Sequence, residues 1–146
     1  MQRADRRFRD EVVSSGVEAR RNRLNAISKR VLDAAIAIHR AFGPGLLESA
    51  YAKALLIELR HQGLGVQSEV TIDTSWRGDP LGAAFRADLI VEGCLLVELK
   101  PVSELSPLFK VQVRTYLKLL EFRLGPLINF NHERLIDGFE RIPNQF

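Results

Sequence analysis

The sequence predicts an α/β fold: a central mixed β-sheet flanked by helices, in the order ααβββαββ. Three observations carry this expectation. Apolar residues recur at helical spacing over 25–42 and again over 46–62. The period then shortens, and 81–91 and 95–100 read as two apolar strands around Gly93. A third helical stretch, 107–122, separates those strands from a further strand at 127–130.

Each element has a local reason. In the first helix Ile27, Val31, Ala34, Ile38 and Phe42 fall three or four residues apart, and Gly43-Pro44-Gly45 ends it. The second helix carries Tyr51, Leu55 and Leu59 as one stripe and stops at Gly63. Over 66–76, Val70 and Ile72 alternate with Thr71 and Asp73, and Gly78-Asp79-Pro80 turns the chain. The strands at 81–91 and 95–100 are apolar on both faces, which suits central positions covered from both sides. Pro107 fits the first turn of the third helix. Gly125-Pro126 precedes the strand at 127–130, and 134–142 reads as a last edge strand.

The length of 146 residues fits one domain, here 24–146. Residues 1–23 differ in character: Arg3, Arg6, Arg7, Arg9, Arg20 and Arg21 alternate with four acids and little apolar periodicity, as in a charged, mobile or loosely helical tail. It reads as a basic arm for nucleic acid or as a dispensable extension. Net charge is +3, with 16 arginines against 5 lysines. That balance permits a phosphate-rich partner without requiring one. Cys94 is the only cysteine, so no intrachain disulfide forms, which fits a reducing compartment. No run approaches the roughly 18 apolar residues of a membrane span, and no apolar leader is visible. The expectation is a cytoplasmic protein with no membrane partner.

The chemistry concentrates in Asp88 and Glu98-Leu99-Lys100. Charged side chains within apolar strands need partners. Glu98 and Lys100 share one face of their strand, and Leu99 points the other way. Asp88 reaches that face only if the hairpin loop is odd in length; with Val91 opposite Leu95, the loop is Glu92-Gly93-Cys94 and Asp88 lies across from Glu98. Two carboxylates there are hard oxygen ligands suited to Mg²⁺ or Mn²⁺, and Lys100 would stand beside an attacking water. The plainer alternative is a cross-strand salt bridge. Glu48 precedes Tyr51 and Leu55 by three and seven residues, so it projects along the apolar stripe, as a site residue or as an acid at a helix start. Gln112 and Tyr116, four apart, share a stripe with Leu108 and Leu120, and either hold substrate or pack at the rim. His39, His61 and His132 are dispersed and read as structural or surface residues, and Trp76 as packing. No P-loop, Cys/His metal spacing or serine-nucleophile elbow is present.

Gly45-Leu46-Leu47-Glu48-Ser49-Ala50-Tyr51 resembles the motif that names the GxxExxY proteins. Arg86-Ala87-Asp88-Leu89, Val97-Glu98-Leu99-Lys100 and Leu127-Ile128-Asn129-Phe130 follow in the family's order, and the resemblance spans about 24–142. That family is grouped with the PD-(D/E)xK nuclease-like superfamily. The resemblance implies a restriction-endonuclease-like core and a Mg²⁺-dependent phosphodiesterase site. It puts Glu48, Asp88, Glu98 and Lys100 at catalytic positions, with Asp88, Glu98 and Glu48 toward the metal. Gln112 and Tyr116 match the Q-x-x-x-Y helix motif of RecB-like exonucleases. One position departs: Phe109 stands where many members carry a histidine.

Two functional expectations follow. One is a Mg²⁺- or Mn²⁺-dependent nuclease that hydrolyses DNA. The other is a non-catalytic module that keeps the nuclease fold for protein interaction or regulation, an idea favoured by Phe109 and the small size. The superfamily resemblance also allows a homodimer or a protein partner.

Overall fold

The computed structural model describes the backbone of residues 2–144 and the side chains of residues 15–144. Its elements are α1 (Gln2–Phe42), α2 (Glu48–His61), β1 (Val66–Trp76), β2 (Asp79–Val91), β3 (Leu95–Leu99), α3 (Pro107–Leu120), β4 (Leu124–Ile128) and β5 (Phe139–Pro143), with a 3-10 turn at Leu135–Gly138. This is the predicted order. The five strands form one sheet in sequence order, and only β3 and β4 run parallel. Parallel neighbours need a long connection, and α3 supplies it. The result is the expected α/β architecture, a mixed sheet with helices on both sides.

Two apolar clusters sandwich the sheet. On one side Val31, Ala35, Tyr51, Leu55 and Leu59 from α1 and α2 pack on Leu89, Val91, Leu95, Val97 and Leu99. On the other, Val113 and Leu117 of α3 pack on Ala87, Ile90, Leu96 and Leu127. All five residues of β3 are buried, as a strand covered on both faces requires.

Several expectations shift. Residues 2–23 of the expected tail fall within the bounds of α1; residue 1 and the side chains of 2–14 lie outside the described residues. Phe42 is 60% exposed, because the last buried positions of α1 are Ile38 and His39 and the helix overruns the core by a turn. The β1–β2 turn is Arg77-Gly78, both at positive φ, so Asp79 and Pro80 already belong to β2. The outer half of β2 is exposed rather than doubly covered, since no helix reaches it, and Trp76 at the hairpin end is 70% exposed rather than packed. Strand β4 begins at Leu124 and includes Gly125 and Pro126. A Cβ at Gly125 would meet the Leu96 carbonyl oxygen at 3.1 Å and Leu117 Cδ2 at 3.1 Å, so the glycine lets α3 approach the sheet rather than breaking the strand. The last segment divides into the 3-10 turn and a shorter β5.

Candidate active site

The β2–β3 hairpin sets the site. Val91 pairs with Leu95, Ile90 with Leu96 and Leu89 with Val97. The loop is therefore the three residues Glu92, Gly93 and Cys94, the odd length on which convergence of Asp88 with Glu98 depends. Glu92 and Gly93 both have positive φ, and Cys94 N–H donates to the Val91 carbonyl, as in a type I′ turn. Continuing the register brings Asp88 across from Glu98.

Each carboxyl group is bonded to the main chain of the opposite strand. Asp88 N–H donates to Glu98 Oε1 at 3.3 Å, and Leu99 N–H donates to Asp88 Oδ2 at 2.8 Å. Glu98 is buried at 5% exposure, whereas Asp88 is half-buried. Burial first, and then the adjoining Asp88 carboxylate, pushes the Glu98 carboxyl up to about 9. At neutral pH this acid holds a proton beside the Asp88 carboxylate. The cross-strand salt bridge considered from sequence is absent: among the described residues Lys100 pairs with neither acid within salt-bridge distance.

Lys100 instead lies over the Phe109 ring, with Nζ 5.1 Å from the centroid. Its backbone N–H donates to the Ile128 carbonyl at 2.8 Å, extending the β3–β4 ladder by one residue. The segment beyond it is tied by Asn129, which is fully buried. Asn129 Nδ2 donates to the Val102 carbonyl at 2.8 Å, and its Oδ1 accepts from Val102 N–H and Asn131 N–H, both at 3.1 Å.

Glu48 enters from α2, of which it is the first residue. The turn before it depends on Gly45, at φ +113°, a conformation that only glycine adopts freely. Tyr51 pins that turn: its hydroxyl donates to the Gly43 carbonyl at 2.6 Å and accepts from Leu46 N–H at 3.0 Å, while its ring stacks on Phe130 at 4.1 Å. The G-x-x-E-x-x-Y spacing thus has a mechanical reading, with the glycine and the tyrosine holding the glutamate between them. Burial and the Asp88 charge raise the Glu48 pKa, and Lys100 opposes them, so Glu48 faces the same group of charges.

From the other side α3 supplies Gln112 and Tyr116. With Arg86, Asp88, Glu98, Lys100 and Phe109 they line a pocket of about 120 Å³. Val113 and Leu117 are the buried stripe of α3, and Leu108 is exposed, so Gln112 and Tyr116 sit at the pocket edge rather than under the helix. Tyr116 stacks on Phe85 at 3.9 Å. Burial and the two acids raise its phenol pKa, which keeps it a donor.

Among the described residues no three histidine, cysteine, aspartate or glutamate side chains converge closely enough to form a ready-made metal cage. The structure brings Asp88, Glu98, Lys100, Gln112 and Tyr116 into one pocket and leaves Glu48 at its border. Arg86, Phe109 and Asn129 were not singled out from sequence as pocket or latch residues. Arg86 was legible in principle, since it stands two residues before Asp88 on the same strand. His39 is structural as expected: it is buried, and its Nε2 lies 2.7 Å from the His132 carbonyl.

Residues 25–142 match the family model described as the PD-(D/E)XK nuclease superfamily. The chain belongs to the PD-(D/E)XK nuclease superfamily. Membership points to nuclease-type function and a nucleic-acid partner, and members of the superfamily generally use divalent metals. No curated protein sequence matches the chain. A solved structure, that of SSO0001, aligns at 19% identity and a TM-score of 0.43, over 77% of this chain and 62% of that one. This chain therefore spans less than two thirds of that protein's length. Among the described residues no helix is long and apolar enough to cross a membrane.

Proposed function

We propose that this protein is a nuclease that hydrolyses DNA phosphodiester bonds with Mg²⁺ or Mn²⁺, and that it is one of the GxxExxY proteins. The observation that carries the reading is the contact between Asp88 and Glu98 on adjacent strands, with the Lys100 ammonium at the same pocket. The donor set suits the ion. Two carboxylates and nearby main-chain carbonyls are hard oxygen ligands, and a buried acid that keeps its proton has a reason to accept a cation in its place. Asp88 and Glu98 would hold the ion, with Glu48 as a further ligand or as the group that orients the water. The bound ion would polarise the phosphoryl oxygen and lower the pKa of a coordinated water.

The remaining chemistry belongs to the side chains. Glu48, raised by its burial, accepts the proton of the attacking water. The water oxygen bonds to phosphorus as one P–O ester bond breaks. Lys100 Nζ donates to the phosphoryl oxygens as charge builds on them. Gln112 and the Tyr116 hydroxyl donate to the same phosphate and fix its position. Purified protein with Mn²⁺ or Mg²⁺ and plasmid or linear DNA tests the reading. Wild type cuts and Glu98→Ala does not; equal inertness of both across a range of substrates sinks it.

One observation favours a second reading, a non-catalytic interaction or regulatory module. The Phe109 ring occupies Lys100, which a catalytic lysine must leave to reach phosphate. Calorimetry with Mn²⁺ separates the two. Binding that Asp88→Asn abolishes supports the metal site; no heat at near-millimolar Mn²⁺ supports the module.

A further inference from the structure

A second concave surface lies at the opposite end of β3 and α3. It is a groove of about 1030 Å³ between α1, the hairpin tip at Gly93-Cys94, the α3–β4 connection and β5. Among the described residues five arginines line it, Arg20, Arg21, Arg23, Arg123 and Arg141, against one acid, Glu121. Among these described residues the lining therefore carries five positive charges against one negative. All five arginines are exposed, and among the described residues Arg20, Arg21 and Arg23 form no salt bridge. Beneath them Leu24, Leu120, Phe122 and Leu124 form a half-buried to buried floor.

We propose that this groove binds a nucleic-acid strand, with the arginines on its phosphates and the apolar floor under its sugars and bases. The choice of ligand rests on the nuclease reading above. The lining suits a nucleic-acid strand: arginine forks match phosphate in two-point contacts, and Phe122 offers a ring on which a base can stack. The geometry agrees. Four residues of β3 separate Cys94 from Glu98, about 13 Å at ~3.3 Å per residue. A strand seated in the groove would thus present a phosphodiester bond a few nucleotides further on to the pocket.

The test uses full-length protein in EDTA, so that nothing is cut, and a fluorescent 12-nucleotide single-stranded DNA. Removing Arg20, Arg21 and Arg23 together, each to alanine, should weaken binding at least tenfold and reduce the salt slope by about 2. A charge-matched control lacking Lys29, Arg40 and Lys53 should bind as wild type does. Equal losses in both variants, or no loss in the first, overturn the proposal. A second measurement needs no substitution: Cys94 lines the groove and is the only thiol, so the bound oligonucleotide should slow its alkylation several-fold. An unchanged alkylation rate at saturating DNA overturns the proposal, as does equal protection by polyglutamate. Cleavage of DNA by a protein whose Cys94 is unprotected refutes the groove alone. Protection without cleavage in Mn²⁺ refutes the nuclease reading alone.

Discussion

Glu98→Gln should stabilise the metal-free protein, and by an amount that grows with pH. In the folded chain Glu98 is buried and its carboxyl is pushed up from 4.5 to about 9. Unfolding releases it to water, where it ionises near its ordinary value. Between pH 4.5 and 9 the native state therefore holds a proton that the unfolded state gives up. Stability from this group is fully present below pH 4.5 and is lost as pH rises through about 9. At 1.36 kcal/mol per unit, the 2.5 units from 4.5 to pH 7 set a ceiling of about 3 kcal/mol. Relaxation around the pair and water entry reduce this, and ~1–3 kcal/mol is expected at pH 8. Glutamine keeps the shape and a donor toward Asp88 but cannot ionise. Urea unfolding of both proteins from pH 5 to 9, in EDTA, reads the difference directly. The curves should nearly coincide at pH 5 and diverge as pH rises, with the variant the more stable. A constant difference across that range, or a wild type that gains on the variant with rising pH, refutes a protonated Glu98.

Three further outcomes follow from the same contacts. Mn²⁺ affinity should rise up to tenfold per pH unit between pH 6 and 8, because the ion displaces the Glu98 proton; calorimetry in buffers of different ionisation enthalpy should register about one proton released, and Glu98→Gln should release none. Tyr51→Phe should cost ~1–2 kcal/mol in unfolding experiments, since it removes both hydrogen bonds that pin the Gly43–Leu46 turn, and it should lower nuclease turnover more than DNA affinity by freeing Glu48. Gly125→Ala should cost ~1–3 kcal/mol, because the added methyl meets a backbone carbonyl at 3.1 Å as well as the α3 side chains.

What the sequence by itself determined is local and periodic. The stripe Tyr51, Leu55 and Leu59, the Gly93 hairpin and the helix begun by Pro107 are each set by neighbours within a few residues, and all three form as read. The alternation of a strand likewise set Glu98 against Leu99 and made the place of Asp88 conditional on loop parity, and the observed three-residue loop meets that condition. Tertiary structure decided everything that depends on which surfaces meet. It exposes Trp76 and Phe42, since a hydrophobic residue is buried only where another element comes to cover it. It turns Gly125 from a breaker into a contact point, because α3 packs there. It sets Phe109 over Lys100 and gives Asn129 the task of holding Val102, pairings between residues nine and 27 positions apart. It also gathers arginines from α1, β5 and the end of α3 into one groove. Short-range sterics write the elements into the sequence, but only packing brings distant charges close enough to change one another's chemistry.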